Sequence, residues 1–227
     1  MIYTYQGGTG RCLSPLSAVG KENMEEQKYE AYEDRFKEYT EFYACIRDLV
    51  EHPAVQSMKK YPHHADITCF EHCMNVAYYN YEICRILGLN AKAAARGGIL
   101  HDLFLYDWHT HAKRTGEHFH GLTHPKVALL NASRYFDLTP LEKDIILKHM
   151  WPLTLMPPRY PESFLITLTD KYSGAREVAE YYAGKVNPGR LKLPFGYRGI
   201  QLLARKWVRD AKREGVLEED TPSDKQS

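Results

Sequence analysis

Gly97-Gly98-Ile99-Leu100-His101-Asp102-Leu103-Phe104-Leu105-Tyr106-Asp107 is the stretch from which the rest of the chain can be read. His101 and Asp102 stand side by side at the end of an Ala/Gly-rich apolar segment, where a buried carboxylate without compensation is costly. A metal ion is the most economical compensation, because adjacent His and Asp present an imidazole nitrogen and a carboxylate oxygen from one point of the backbone. The spacing predicts a helix from about Ala91 to Asp102, along which Ala94, Ala95, Gly97 and Gly98 let a neighbouring helix come close. That neighbour is predicted over Thr68 to Leu87, ending at Gly88, a favourable residue just past a helix end. His72, Val76, Tyr79, Ile83 and Ile86 fall at helical spacing, which puts His72 on the buried stripe and brings it towards His101.

Working outward, Tyr29, Tyr32, Phe36, Tyr39, Phe42, Tyr43, Ile46 and Val50 repeat every three or four residues and predict an amphipathic helix from Met24 to about Glu51. Residues 103–122 carry no clean period and hold Asp107, Trp108, His109, His111, His118 and His120; long irregular segments of this kind tend to be functional or mobile. A fourth helix is expected from His124-Pro125 to about Phe136, with the proline in its first turn. Thr139-Pro140-Leu141-Glu142 has the form of a capping box opening a fifth helix, with Leu141, Ile145 and His149 on one face. Pro152, Pro157, Pro158 and Pro161 mark a loop, followed by a sixth helix from Glu162 to about Tyr182 on which Ile166 and Asp170 share a face. Residues 184–196 read as a turn-rich connection, and Tyr197–Arg213 as a final basic amphipathic helix. No stretch repeats and almost none alternates as a strand does, so the expected fold is all-α.

A chain of 227 residues can bury one sizeable core. The expected layout is a flexible tail over 1–23, one helical domain with flanking helices over 24–215, and a second tail over 216–227. Gly7-Gly8-Thr9-Gly10 lacks the following Lys-Ser/Thr of a phosphate loop, and Met24 is a candidate for the natural start. Lys and Arg number 30 against 29 acids, so no general field attracts a nucleic acid polymer or an anionic membrane, which favours a small-molecule substrate. No apolar run is long enough to span a bilayer, and a cytoplasmic location is expected. The five cysteines lack the paired spacing of a secreted scaffold. Cys69 and Cys73 flank His72 but read, with Cys84, as small core residues at helical spacing rather than as a zinc knuckle.

His72, His101, Asp102 and Asp170 each fall on the apolar side of a predicted helix, and His124 and His149 near helix ends. Ligands converging from separate helices are how helical bundles build metal sites. The order His, His-Asp, Asp resembles the HD-domain superfamily of metal-dependent phosphohydrolases. Thr68-Cys69-Phe70-Glu71-His72-Cys73-Met74-Asn75-Val76-Ala77 is similar to the family's first-histidine helix, Gly98-Ile99-Leu100-His101-Asp102 to its doublet, and Leu168-Thr169-Asp170-Lys171 to its last-aspartate helix. The likeness covers roughly residues 55–180 and implies a single helical bundle with a metal site in its core. Thr123-His124-Pro125 and Ile146-Leu147-Lys148-His149 resemble the extra histidines of the subgroup that binds two metals. The resemblance then implies that His72, His101, Asp102 and Asp170 hold one ion, that His124 and His149 hold the other, and that Asp102 bridges them. The Gly-Tyr-Pro signature of the branch that cleaves cyclic dinucleotides is missing, and Leu103-Phe104-Leu105 replaces that branch's Ile-Gly-Lys. Uncharacterised bacterial HD-domain proteins carry a Leu-Tyr-Asp-Trp run similar to the one here after the doublet.

Two cations ~3.5–4 Å apart can share a water, lower its pKa towards neutrality and screen a phosphoryl group under attack. On this reading Asp102 and His101 are the catalytic centre, and Fe, Mn or Zn, two per chain, suit the mixed ligands better than Mg or Ca. Lys171, Arg114, Lys126 and Arg159 are candidate phosphate contacts, and His118 and His120 candidate proton donors to a leaving group. Asp107 and Trp108 are candidates to cap the pocket, and His64 to reach it. Hydrolysis of a phosphomonoester or phosphodiester of a nucleotide or small metabolite is the favoured function. A di-iron oxygenase is the alternative, since relatives with the same six ligands use dioxygen on inositol or phosphonates; a binding module without turnover is a third class. The oligomeric state has no signature in the sequence.

Overall fold

A computed structural model describes residues 37–63, 66–110, 116 and 119–186. Among them there is no strand, only an isolated antiparallel bridge between Pro62 and Thr68, so the fold is all-α as expected. Helix α1 covers residues 37–50, and its buried Phe42, Ile46, Leu49 and Val50 recur at helical spacing to form one core-facing stripe. The short helix α2, Pro53–Ser57, is capped by the His52 ring, which accepts from the Ala54 amide, and passes into a 3-10 turn at Met58–Lys60.

Helix α3, Cys69–Ile86, starts with a full capping box: Thr68 Oγ1 accepts from the Glu71 amide while the Glu71 carboxylate accepts from the Thr68 amide. It stops before Gly88, whose φ of +68° is the left-handed conformation that ends helices cheaply only in glycine. The expected stripe is buried at His72 and Val76 but not at its far end, where Ile86 is 74% exposed. The reason is that α3 packs against two partners, and Cys73, Ala77, Asn80 and Cys84 are buried on another face instead.

One partner is α4, Ala91–Leu100, capped by Asn90. A Cβ on Gly98 would stand 2.5 Å from Ala77 Cα, so only glycine allows the two backbones to approach this closely. The helix ends two residues earlier than its apolar pattern predicts. Leu103 bonds back to the Leu100 carbonyl and Phe104 to that of Asp102, while the His101 ring takes the Gly98 carbonyl, so the ladder closes and the doublet sits in the following turn. Leu105, at φ +60°, turns the chain away, and Asn131 Nδ2 donates to the Leu103 carbonyl to hold the turn.

Helix α5, His120–Tyr135, begins four residues before the expected His124-Pro125 start, so Pro125 lies inside the helix rather than in its first turn. The opening carbonyls find side-chain partners: Thr123 Oγ1 donates to Phe119 O and His124 Nδ1 to His120 O. Helix α6, Pro140–Lys148, has the predicted Thr139/Glu142 capping box. Helix α7 runs Pro161–Val186, beyond the expected end near Tyr182 and into the segment expected to be a turn. It packs against α3 and α6, and α6 against α4 and α5. The expected tails, the Tyr197–Arg213 helix, the first half of the Met24 helix, Arg114, His118 and His64 lie outside the described residues. No helix among the described residues is long and apolar enough to cross a membrane.

Candidate metal centre

Three helices and the ends of two others aim their side chains at one buried point. The capping box fixes the phase of α3 so that His72, in its first turn, faces inward; the turn after α4 presents His101 and Asp102; α5 supplies His124, the C-cap of α6 supplies His149, and α7 supplies Asp170. His72, His101, Asp102, His124 and His149 are all buried, and Asp170 has 15% of its side chain exposed. The six residues singled out in the sequence thus come together across the fold.

Asp102 stands at the middle. Its Oδ2 lies 3.5 Å from His101 Nε2, and its Oδ1 lies 3.2 Å from His124 Nε2 and 3.5 Å from His149 Nε2. Asp170 Oδ1 lies 3.1 Å from His72 Nε2 and 3.7 Å from His101 Nε2. Every one of the four imidazoles is held from behind through Nδ1: His72 by Glu177 Oε2 at 2.9 Å, His101 by Gly98 O at 2.7 Å, His124 by His120 O at 2.8 Å and His149 by Ile146 O at 2.8 Å. An acceptor at Nδ1 places the proton there and leaves the Nε2 lone pair directed into the centre, the arrangement in which imidazole binds metals.

The electrostatics are those of a site built for positive charge. Burial pushes the Asp102 carboxyl up, but the imidazoles of His101, His124 and His149 outweigh it and hold the group well below the ordinary carboxylate range. Asp170 behaves alike, its burial outweighed by the nearby imidazoles of His101 and His72. Burial lowers His72, but the Asp170 and Glu177 carboxylates raise it well above the usual imidazole range. His149, lacking a close carboxylate behind it, is pushed down to about 3 by burial and by repulsion from His101 and His124, and so stays neutral.

The donor set fits a divalent metal. His101 Nε2 and Asp102 Oδ1 are fully buried and make no well-aligned hydrogen bond, although His124 Nε2 is only 3.2 Å from that oxygen. His124 and His149 bring their Nε2 atoms within 2.8 Å while both donate through Nδ1, so two lone pairs face each other unless a cation or an extra proton stands there. The groups His72–His101–Asp170 and His101–Asp102–His149 each bring their ligand atoms within 4.8 Å of one another. Nitrogen and carboxylate oxygen in this mixture are ligands for Zn, Fe or Mn rather than Ca.

Of the outer residues, Lys171 lies at the rim: its Nζ donates to the His149 carbonyl at 3.3 Å and sits 4.0 Å from Asp170 Oδ2. His120 stacks on the His124 ring at 4.6 Å, and its Nδ1 pairs with the Tyr106 hydroxyl at 3.0 Å. Trp108 stacks on His120, and Asp107 caps the turn at 108–110 through the His109 amide and the Thr110 hydroxyl. The Arg159 amide bonds to Asp144 and its side chain is exposed, with no hydrogen bond or ion pair to the cluster among the described residues. Lys126 is likewise exposed on α5. Cys69, Cys73 and Cys84 are buried as small core residues, and none belongs to a metal-capable group among the described residues.

Two residues escape the sequence reading. Glu177 is buried behind His72, its second oxygen accepting from Asn75 Nδ2 at 3.0 Å. Its signal was present, since Ile166, Asp170, Ser173 and Glu177 form one helical stripe on α7. His63 puts its Nε2 3.0 Å from Asp102 Oδ2, and nothing in the aperiodic segment around it distinguishes it from His64.

The family model of the HD domain matches residues 69–175, a segment that contains all six clustered residues. Comparison with curated proteins and with solved structures finds no match. The ordered motifs, the buried His/Asp cluster and the family match agree that residues 69–175 form an HD domain, the mark of a superfamily most of whose members are metal-dependent hydrolases.

Proposed function

We propose that the chain is a metal-dependent phosphohydrolase that cleaves a phosphomonoester or phosphodiester of a nucleotide or small metabolite, using two divalent ions of Fe, Mn or Zn. The observation that carries this reading is Asp102, whose two oxygens face different imidazoles: His101 on Oδ2, His124 and His149 on Oδ1. His72, His101 and Asp170 would hold one ion with Asp102, and His124 and His149 the other. Bound there, such ions supply Lewis acidity, which makes water nucleophilic near neutral pH and screens phosphoryl charge. Glu177 keeps the His72 lone pair inward, as outer partners of metal-bound histidines do. The partial exposure of Asp170 marks the open side, and Lys171, 49% exposed beside it, offers a cation to a phosphate oxygen. His120, fixed through Nδ1 by Tyr106, is placed to hold a proton for the leaving group.

Burial of the donors supports a small substrate rather than a nucleic acid polymer or a membrane surface. The free cysteines Cys45, Cys69, Cys73 and Cys84 suit a reducing compartment, consistent with the cytoplasm. The test is phosphate release from a panel of phosphomonoesters, phosphodiesters and nucleotides, run under argon with Mn. Turnover without oxygen that is lost in Asp102→Asn supports the reading. Dependence on both iron and oxygen, with no phosphate released, would assign dioxygen chemistry instead.

A further inference from the structure

We infer that His63 is a further protein ligand at the position formed by His72, His101, Asp102 and Asp170, so that protein nearly closes this first position and the substrate meets the second. The inference rests on the metal reading above and extends it to a residue outside the matched segment 69–175.

Bonds of ~2.1 Å place adjacent donors of one coordination sphere ~3.0 Å apart and opposite donors ~4.2 Å apart. His63 Nε2 stands 3.0 Å from Asp102 Oδ2, against 3.1 Å between His72 Nε2 and Asp170 Oδ1, so His63 keeps the spacing of an adjacent donor. The ligand atoms of His63, His72 and Asp102 all lie within 4.8 Å of one another. Its ring packs edge-on to that of His72 at 4.0 Å, and only 10% of its side chain is exposed. Like the other four histidines, it directs Nε2 at a carboxylate of the cluster.

The backbone holds this placement. The His63 amide donates to Ile67 O at 2.9 Å, the Cys69 amide to Tyr61 O at 2.9 Å, and Pro62 bridges to Thr68. The segment bearing His63 is therefore tied to the N-terminus of the helix bearing His72, which holds the two rings side by side.

The consequence is an asymmetry. Three imidazoles and two carboxylates at the first position leave at most one place in an octahedron, whereas the second has only His124, His149 and Asp102 Oδ1. Catalytic metals keep open positions, so substrate contact is assigned to the second ion.

The test uses the full chain loaded with Co(II). A histidine bound through Nε2 gives a strongly shifted ring N–H proton resonance, which a histidine acting only by hydrogen bond does not. In His63→Ala one such signal should disappear, and chelator competition should show one ion bound at least tenfold more weakly with the other unchanged. His63→Gln retains a hydrogen-bonding group next to Asp102 but no ring; it should lose the same signal, and it decides the matter if the alanine variant fails to fold. Full Co(II) uptake with every shifted signal and both affinities retained in the variants overturns the inference alone. No Co(II) uptake by the wild-type chain overturns the metal reading along with it.

Discussion

Gly98→Ala puts the close approach of α3 and α4 to the test. The added Cβ would stand 2.5 Å from Ala77 Cα and 3.0 Å from both Ala77 N and Cβ, and the obstacle is backbone, which cannot rotate aside. Carbon atoms rest at ~3.5–4.0 Å, so the helices must separate by about 1 Å. Overpacking of this kind costs ~1–3 kcal/mol, and the better helix propensity of alanine returns ~0.8–1.0 kcal/mol. A net loss of up to ~2 kcal/mol lowers the melting temperature of a chain this size by up to roughly 8 °C. The site should suffer more than the fold. His101 sits three residues after Gly98 and bonds to its carbonyl, so the shift carries His101 and Asp102 away from His72. Metal–ligand distances tolerate only ~0.2 Å, so metal uptake should fall sharply even where the variant remains folded. Thermal unfolding in a chelator and metal analysis after reloading measure the two effects separately. Wild-type melting and wild-type metal content together would refute the claim that this contact sets the His72–His101 distance.

Replacing Glu177 with Gln should weaken metal binding 10–100-fold, or about 1.4–2.7 kcal/mol, by removing the carboxylate that orients His72; chelator competition reads it, and an unchanged affinity would deny Glu177 that role. The double variant His124→Ala/His149→Ala should lose one ion and keep the other, whereas full metal content and activity would make both residues ordinary core histidines. Metal loading should strengthen as pH rises. His72 and His101 are raised above the ordinary imidazole value and must give up protons to bind, while Asp102 and Asp170 are already ionised. Affinities from competition titrations at several pH values that fall or stay flat through the neutral range would contradict this.

What the sequence made legible follows from how local each signal is. The Thr68/Glu71 and Thr139/Glu142 boxes and Gly88 act within one turn, and the helices they bound start and stop close to where the residues indicate. The six clustered residues were readable because each lies on the inward side of a periodic helix or at its end. The start of α5 was not, because Phe119 makes no side-chain cap and Pro125, a common first-turn residue, sits deeper in the helix. His63 was not, because its position depends on the Pro62–Thr68 bridge, a tertiary contact without a period. The surroundings of Arg159 were not legible either, because its amide is tied to Asp144 and its side chain is exposed through tertiary contacts that a lone cation in a loop does not announce.

The proposed hydrolase needs Asp102 to join two metal positions. Anomalous diffraction at the edge of the bound metal tests it most directly. Two peaks should flank the Asp102 carboxylate, one within bonding distance of His72, His101 and Asp170, the other of His124 and His149. A single peak, or peaks away from Asp102 in crystals grown with excess metal, would contradict it.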